Sequence, residues 1–229
     1  MAHVLSPQQL RFFETFGYLG FPGLLAAEIG EVIAAFEQVW EERGGGHDGR
    51  PHDGERRSCI VPFMDQHPRL CALLDQPQIH GILCDLLGDD FDYLGSDGNY
   101  YAGDTQWHSD GWAKTRRFVK IAFYLDSLTR DTGCLRVIPG SHHLKDAYAE
   151  GLQAQIRESR EQWGVAGADL PAVALEVEPG DVVLFNHNTK HASFGGGGRR
   201  RMFTLNACQR FAEADLPQLR EWVGHAARF

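Results

Sequence analysis

The stretch Trp107-His108-Ser109-Asp110-Gly111-Trp112 places an imidazole and a carboxylate two residues apart, between two tryptophans. On a β-strand, residues i and i+2 point to the same face, so His108 and Asp110 can enter one cavity. His191 follows an apolar predicted strand and can return to that cavity. Two imidazoles and one carboxylate leave half of an octahedron open, as in non-heme Fe(II) oxygenases. These three residues are therefore the candidate catalytic metal ligands.

Two other interpretations of the histidines stay open at this point. His-x-Asp is a short pattern that also occurs by chance on protein surfaces. His187 competes with His191 for the role of the distant ligand. His142 and His143 could bind a metal, but they follow a Pro-Gly turn, where a loop-stabilising and an exposed histidine are the ordinary interpretation.

The sequence pattern changes after Gly88, where short apolar or alternating runs are separated by Gly, Pro and Asp. Such runs are typical of strands in an antiparallel sandwich or barrel with helices packed outside. The predicted fold is mainly β with flanking helices. The predicted strands are Phe91–Leu94, Asn99–Ala102, Phe118–Leu125, Leu135–Ile138, Ala172–Val177, Asp181–Phe185 and Arg201–Ala207.

Residues 1–88 are predicted to be a mostly helical N-terminal part of a single domain that spans residues 1–229. Ser6-Pro7-Gln8-Gln9 predicts a capped helix start, and a second helix is expected from about Ala27 to Glu42. Residues 43–57 contain no apolar side chain and predict a mobile surface loop. Pro68 to Gly88 should be helical, with a break at Pro77. The barrel, residues 89–211, should carry a helical insertion near 145–163.

The composition limits the possible functions. The chain has 229 residues, 43% of them hydrophobic, and a formal net charge of −9, so it has no general attraction to nucleic acid or anionic membranes. No apolar run approaches the roughly 20 residues of a membrane helix. Five cysteines without a CxxC pair, and an N-terminus without a signal peptide, favour reduced thiols and a cytoplasmic location.

Three consecutive arginines, Arg199 to Arg201, open the last apolar strand. If Phe203, Leu205 and Ala207 pack outward, then Arg200, Met202, Thr204 and Asn206 face the cavity. A buried guanidinium needs an anionic partner, which a carboxylate co-substrate would supply. Arg200 is the first candidate for this role, and Arg201 is the second.

Taken together, these residues resemble the phytanoyl-CoA dioxygenase family of Fe(II)/2-oxoglutarate oxygenases, over nearly the whole chain. The similar motifs come in the family's order. They are the Gly-Tyr opening at Phe13–Leu25, Trp107–Asp110, Leu135–His142 with its Pro-Gly-Ser-His, Gly180–Phe185, and His191-Ala192-Ser193.

The resemblance implies a double-stranded β-helix (jelly-roll, cupin-like) core, with Fe(II) held by His108, Asp110 and His191. It also implies 2-oxoglutarate and O2 as co-substrates, with the far carboxylate of 2-oxoglutarate on Arg200. Residues 195–198 are four glycines, where the family usually has a polar turn, and this leaves Arg201 as the alternative.

Other predicted strand residues are candidates for contacts in the cavity. Asn99 and Tyr101 are assigned to the cofactor. Trp112, Lys120 and Tyr124 are assigned to the substrate. Lys120 and Tyr124 share a face, so an inward Lys120 could pair with an acidic substrate or with 2-oxoglutarate, whereas an outward one would be an ordinary surface lysine.

The implied reaction is hydroxylation of an unactivated C–H bond in a small molecule, with release of succinate and CO2. Related halogenases carry Gly or Ala at the position of Asp110, so the carboxylate favours hydroxylation. Desaturation, cyclisation and epimerisation remain open with the same cofactors. The rival classes are a cupin-like metal enzyme without an oxo-acid and a non-catalytic binding barrel. A monomer or homodimer is expected, without nucleic-acid or membrane partners.

Overall fold

Two antiparallel sheets form the core of the computed structural model, which describes residues 4–43, 50–111 and 116–226. The larger sheet has the order β1 (Tyr18–Phe21), β9 (Val182–Asn186), β6 (Phe118–Tyr124), β11 (Arg200–Gln209), β4 (Gly98–Tyr101) and β2 (Ser58–Ile60), and β3 (Phe91–Gly95) also pairs with β11. The smaller sheet has the order β5 (Thr105–His108), β10 (His191–Ser193), β7 (Leu135–Val137) and β8 (Val173–Leu175). This arrangement of strands agrees with the predicted jelly-roll.

Side-chain alternation on the central strands separates the outer core from the inner cavity. On β6, Ile121 and Phe123 join the cluster that contacts the helices, whereas Ala122 and Tyr124 belong to the cluster between the sheets. On β11, Phe203 and Leu205 likewise pack outward. Because a strand has a period of two, the residues between them are directed inward.

Seven helices occur among the described residues. They are α1 (Pro7–Phe16), α2 (Ile29–Glu42), α3 (Pro68–Cys71), α4 (Pro77–Leu87), α5 (Ala147–Arg157), α6 (Ser159–Trp163) and α7 (Leu216–Ala226). The capping box predicted for α1 is present, since Gln9 N donates to the Ser6 hydroxyl and Ser6 N donates to the Gln9 side chain. Side chains of α1, α2 and α4 cover the outer face of the larger sheet.

Helix α5 covers the outer face of the smaller sheet at the strand that carries the first candidate ligand. Trp107 is 1% exposed and packs with Leu152, Ile156 and Phe194. Its indole N–H donates to the Gly167 carbonyl over 2.8 Å. Trp107 is thus an anchored core residue, and it holds β5 in place beside the cavity.

The structure differs from the sequence prediction in a few places. The second helix begins at Ile29, because residues 23–28 form turns. The helical stretch after Pro68 does break at Pro77, where Gln76 caps the new helix. The part of the predicted surface loop that the structure describes, residues 50–57, contains no helix or strand, and its last residue, Arg57, also lines the central cavity. Residues 44–49 of that loop lie outside the described residues. None of the helices in the described ranges combines the length and apolar character needed to cross a bilayer.

Candidate metal and oxo-acid site

His108, Asp110 and His191 converge between the two sheets. One ligand atom from each lies within 4.8 Å of the other two. The Nε2 atom of His108 is 3.6 Å from one Asp110 carboxylate oxygen, and that of His191 is 3.7 Å from the other. The two histidines are register partners across β5 and β10. The strands therefore bring together residues that are far apart in the sequence.

Backbone carbonyls fix the orientation of both imidazole rings. Nδ1–H of His108 donates to the Gln106 carbonyl over 2.8 Å, and that of His191 donates to the Thr189 carbonyl over 2.9 Å. This pairing leaves both Nε2 atoms as lone-pair donors that face Asp110. Such hydrogen bonds set the tautomer and raise the basicity of a histidine ligand.

The turn that holds Asp110 rests on the backbone of His187. The amide N–H groups of Asp110 and Gly111 both donate to the His187 carbonyl over 2.9 Å. A side chain at Gly111 would collide with Asn188, so the close approach of the two segments requires glycine here. His187 thus supports Asp110 through its carbonyl, while its ring lies outside the three-residue cluster.

The electrostatics favour the ligating forms of these side chains. Burial lowers the pKa of His191 to about 3, so its imidazole is neutral at pH 7. Burial alone would raise the pKa of Asp110, but the adjacent Lys120 ammonium lowers it below its ordinary value. Lys120 Nζ lies 2.6 Å from the Asp110 carboxylate. Lys120 is therefore turned inward, and it keeps the carboxylate ionised.

Arg200 is a buried cation without an anionic partner. It is 7% exposed, and Nη1 donates to the Gly133 carbonyl over 2.7 Å and to the Ser193 hydroxyl over 2.5 Å. Nη2 donates to the Gly103 carbonyl, and buried Nε has no partner. Within the described part of the chain, no carboxylate forms an ion pair with Arg200. Burial without an anionic partner lowers the pKa of the Arg200 guanidinium.

The glycine tract at 195–198 explains how the Arg200 guanidinium fits. A side chain at Gly196 would collide with Nε, Cζ and Nη2 of Arg200. Gly195 has φ +77° and lies against the Asp131 backbone, which also excludes a larger residue. The glycines at 195–198, which differ from the family pattern, thus leave room for the Arg200 guanidinium.

Arg201 lies on the opposite face of β11, away from the cavity. Its guanidinium forms ion pairs with Asp126 over 2.6 Å and with Glu37 over 2.8 Å. Hydrogen bonding to Asp126 and Glu37 raises its pKa. Because this arginine is already neutralised by two carboxylates, the structure does not bring it to the candidate oxo-acid site.

A cavity of about 350 Å³ connects the metal-ligand cluster with Arg200. Tyr101 and Tyr124 line it, and burial raises the pKa of Tyr101 to about 12, so the phenol stays neutral. Asn99 is fully buried beside the cavity, where its side chain bonds Arg57 and Asp97. Of the candidate substrate residues, Trp112 lies outside the described residues.

Two charged residues of this cavity were not singled out from the sequence. Arg57 and Asp97 both line it, at the opposite side from the apolar residues around Leu128 and Leu135. Arg57 follows a polar, glycine-rich stretch, and Asp97 lies in a Ser-Asp-Gly turn, so local composition predicts only a surface for both. Pairing of β2 with β4 is what places Arg57 beside Asp97.

The residues present fit both cofactors of a 2-oxoglutarate oxygenase. Two imidazoles and one ionised carboxylate, with no further ligand in the cluster among the described residues, form a facial set for Fe(II). The buried, unpaired guanidinium of Arg200 fits the far carboxylate of a dicarboxylic acid. The class that this fold and this donor set define is the non-heme Fe(II)- and 2-oxoglutarate-dependent dioxygenases.

Comparison with known proteins identifies the family. The model of the phytanoyl-CoA dioxygenase (PhyH) family matches residues 13–202, and the chain belongs to this family. A 2-aminoethylphosphonate dioxygenase from the uncultured bacterium HF130_AEPn_1 is 26% identical over 213 residues, which cover 82% of this chain and 76% of the relative. The predictions of family, enzyme class and cofactors, namely Fe(II), 2-oxoglutarate and O2, are thereby confirmed.

Solved structures confirm the fold. The non-heme α-ketoglutarate-dependent carbocyclase SnoK from nogalamycin biosynthesis superposes with a TM-score of 0.68 at 23% identity, and covers 96% of this chain and 92% of SnoK. HygX from Streptomyces hygroscopicus, solved with nickel and 2-oxoglutarate bound, gives a TM-score of 0.70 at 18% identity, covering 90% and 88% of the two chains. At these identities the likeness establishes the jelly-roll fold alone.

Proposed function

We propose that this protein hydroxylates an unactivated C–H bond of a small molecule, using Fe(II), 2-oxoglutarate and O2. The observation that carries this proposal is the convergence of His108, Asp110 and His191 beside Arg200, a buried cation without a carboxylate partner. A cupin-like enzyme that needs no oxo-acid would leave this guanidinium without a role. A purely structural binding barrel would explain neither feature.

Each residue has a defined role in the proposal. His108 and His191 bind the metal through Nε2, since their Nδ1–H groups are held by carbonyls, and Asp110 supplies the anionic ligand. Arg200 pairs with the far carboxylate of 2-oxoglutarate, between the Tyr101 and Tyr124 rings that line the same cavity. When bound, the iron and the oxo-acid supply the oxidant from O2, with release of succinate and CO2.

The chain's own contribution is positioning and exclusion of water. The metal ligands are fixed by backbone carbonyls and by the turn at Gly111, so the site needs little reorganisation on binding. A lining of Ala122, Leu135 and Phe185 keeps the region beside the ligand cluster apolar. An apolar wall protects a reactive species from water and directs it to a bound C–H bond.

The substrate side of the cavity suits a small polar molecule. The total volume of about 350 Å³ lies at the lower end of the range for small-molecule sites and must also hold 2-oxoglutarate. Lys120 and Tyr124 face this space and are the proposed substrate contacts. The relative named 2-aminoethylphosphonate dioxygenase supports a substrate of this size.

Cyclisation is the second candidate outcome, because a structural neighbour is a carbocyclase with the same cofactors. The carboxylate at Asp110 argues against halogenation in either case. Product analysis separates the two outcomes, since hydroxylation adds one oxygen atom from O2 to the substrate and cyclisation removes two hydrogen atoms.

The experiment that tests the proposal is an anaerobic titration with Fe(II) and 2-oxoglutarate, followed by a screen for substrate-stimulated succinate release. 2-Aminoethylphosphonate is the first compound to test. One equivalent of each cofactor and succinate release that depends on iron are expected. A protein that binds no 2-oxoglutarate in the presence of iron would contradict the proposal.

A cytoplasmic location and a monomer or homodimer belong to the same proposal. None of the five cysteines, all of which lie within the described residues, forms a disulfide, and this supports a reducing compartment. Size-exclusion chromatography with light scattering would measure the oligomeric state.

A further inference from the structure

Arg57 is a fixed cation at the rim of the cavity. Its Nε donates to the Asn99 side-chain oxygen over 2.7 Å, and Nη2 lies 3.4 Å from Asp97. The guanidinium lies over the Tyr101 ring, with Cζ 4.7 Å from the ring centre. Its side chain is 45% exposed, and Nη1 has no hydrogen-bond partner among the described residues. One edge of the Arg57 guanidinium, whose orientation is already fixed, is thus open to a ligand.

Asp97 fixes Arg57 and has little capacity left for a ligand. One of its carboxylate oxygens accepts from Thr204, and the other accepts from the Asn99 amide over 2.6 Å and from Arg57. Because three side chains already donate to this carboxylate, a substrate ammonium would have to displace one of them. Asp97 is therefore a positioning residue for Arg57. A ligand at the open edge of the Arg57 guanidinium should be an anion.

The net charge of the cavity lining also favours an anionic ligand. Among the described residues that line the cavity, Arg57, Lys120 and Arg200 face only two carboxylates, those of Asp97 and Asp110. Fe(II) adds two positive charges, and 2-oxoglutarate adds two negative ones. The loaded site therefore keeps one excess positive charge, and buried charges are stable only when they are paired.

The excess charge falls on the pair formed by Lys120 and Arg57. The Lys120 ammonium has one hydrogen-bond partner among the described residues, the Asp110 carboxylate at 2.6 Å. The proposed metal site uses the same carboxylate to balance the iron. Asp97 interacts with both Lys120 and Arg57, and 2-oxoglutarate would balance Arg200, so Lys120 and Arg57 share one positive charge that a further anion would neutralise.

We propose that Arg57 and Lys120 form a binding site for an oxyanion of the substrate, which is a small organic carboxylate or phosphonate. Arg57 offers Nη1 from the rim, Lys120 offers its ammonium inside, and the two share the excess positive charge. This inference rests on the proposed function and adds the substrate class to it. Bound at these two residues, the substrate places its carbon chain toward His108 and His191, which line the same cavity.

The test is anaerobic calorimetry on the protein loaded with Fe(II) and saturating 2-oxoglutarate, which occupies Arg200. Three probes share an amine and a two-carbon chain: 2-aminoethylphosphonate, 3-aminopropanoate and the uncharged-head analogue 3-aminopropanamide. Inorganic phosphate and acetate serve as minimal anions. At least one anionic probe should bind about tenfold or more tightly than the amide. Comparison of 2-aminoethylphosphonate with 3-aminopropanoate identifies the preferred head group.

Variants at two adjacent arginines assign the effect to Arg57. Arg57→Gln should weaken binding of the preferred anion by about 10- to 100-fold, while Arg57→Lys should lose less because it keeps the charge. Arg56→Gln is the matched control, since Arg56 is 74% exposed and pairs with Asp53 outside the cavity. Binding to this control should equal that of the wild type. Circular dichroism and the melting temperature establish that each variant is folded.

Several results would overturn the inference. They are equal binding of the amide and both anionic probes, no binding of any anion, unchanged anion binding in Arg57→Gln, or the same loss in Arg56→Gln. A wild-type protein that binds iron and 2-oxoglutarate but shows one of these results refutes the oxyanion site alone. Failure to bind the two cofactors refutes the proposed function itself.

Discussion

His108 and His191 face each other directly across the antiparallel pair of β5 and β10, with ring centres 4.1 Å apart. Both rings present Nε2 to Asp110 because both Nδ1–H groups are held by backbone carbonyls. Strand pairing therefore determines which histidine reaches the cluster. It selects His191 over His187, whose ring lies outside the cluster.

Asp110→Ala should abolish iron-dependent turnover while the fold is retained. The change removes the only anionic ligand of the cluster, so Fe(II) affinity should fall by more than about 100-fold, beyond the range seen for residues that only support a ligand. Anaerobic metal titration and succinate release measure the effect, with far-UV circular dichroism as the check on folding. Full activity in this variant would remove Asp110 from the site.

Arg200→Gln should raise the KM for 2-oxoglutarate by about 30-fold or more, the size expected when a buried charge-assisted contact is lost. Arg201→Gln is the matched control on the adjacent residue. It should leave this KM unchanged and lower the free energy of unfolding by about 1 kcal/mol, because it breaks partly exposed ion pairs with Asp126 and Glu37. The reverse pattern would show that Arg201 holds the co-substrate.

Gly196→Ala should displace the Arg200 guanidinium, since a methyl group there collides with three of its atoms. Because φ of Gly196 is not in the left-handed region, the effect comes from the contact alone. We expect a rise of about tenfold in the KM for 2-oxoglutarate, with a smaller effect on kcat. Gly197→Ala, which meets no atom within 4 Å, is the control. Equal KM values for the two variants would contradict this role of the tract.

Acid should destabilise the protein through His142, which is not part of the candidate metal-ligand cluster. Burial lowers the pKa of His142 to about 4, while an unfolded chain has a value near 6.5. The unfolded state therefore binds the proton first, and stability is complete above about pH 6.5 and falls as the pH drops toward about 4.

Between about pH 7 and about pH 5 this single group should cost about 2 kcal/mol. Urea denaturation of the metal-free protein measures the loss, and His142→Gln should reduce it by that amount. An identical pH dependence in wild type and variant would show that His142 titrates normally.

Much of the architecture could be predicted because local patterns determine it. Ser6 and Gln9 form the expected capping box, and the alternation on β6 and β11 divides inward from outward residues as expected. The inward placement of Arg200 follows from that alternation alone. The family resemblance then supplied the chemistry that such a cavity performs.

What could not be predicted depends on contacts between distant segments. Arg57 and Asp97 are unremarkable in sequence and meet only through the pairing of β2 with β4. Asn99, which the sequence assigns to the cofactor, has its side chain between Arg57 and Asp97, and the sequence does not show these contacts. Three-residue strands such as β2 are also too short to show a period.

The measurement that tests the central claim most directly is a crystal structure of the protein with Fe(II) and 2-oxoglutarate, grown without oxygen. The anomalous difference map should show one iron peak within bonding distance of His108 Nε2, His191 Nε2 and an Asp110 oxygen. The far carboxylate of 2-oxoglutarate should lie on Arg200. An iron peak elsewhere, or no peak at these three side chains in crystals that contain bound iron, would contradict the account.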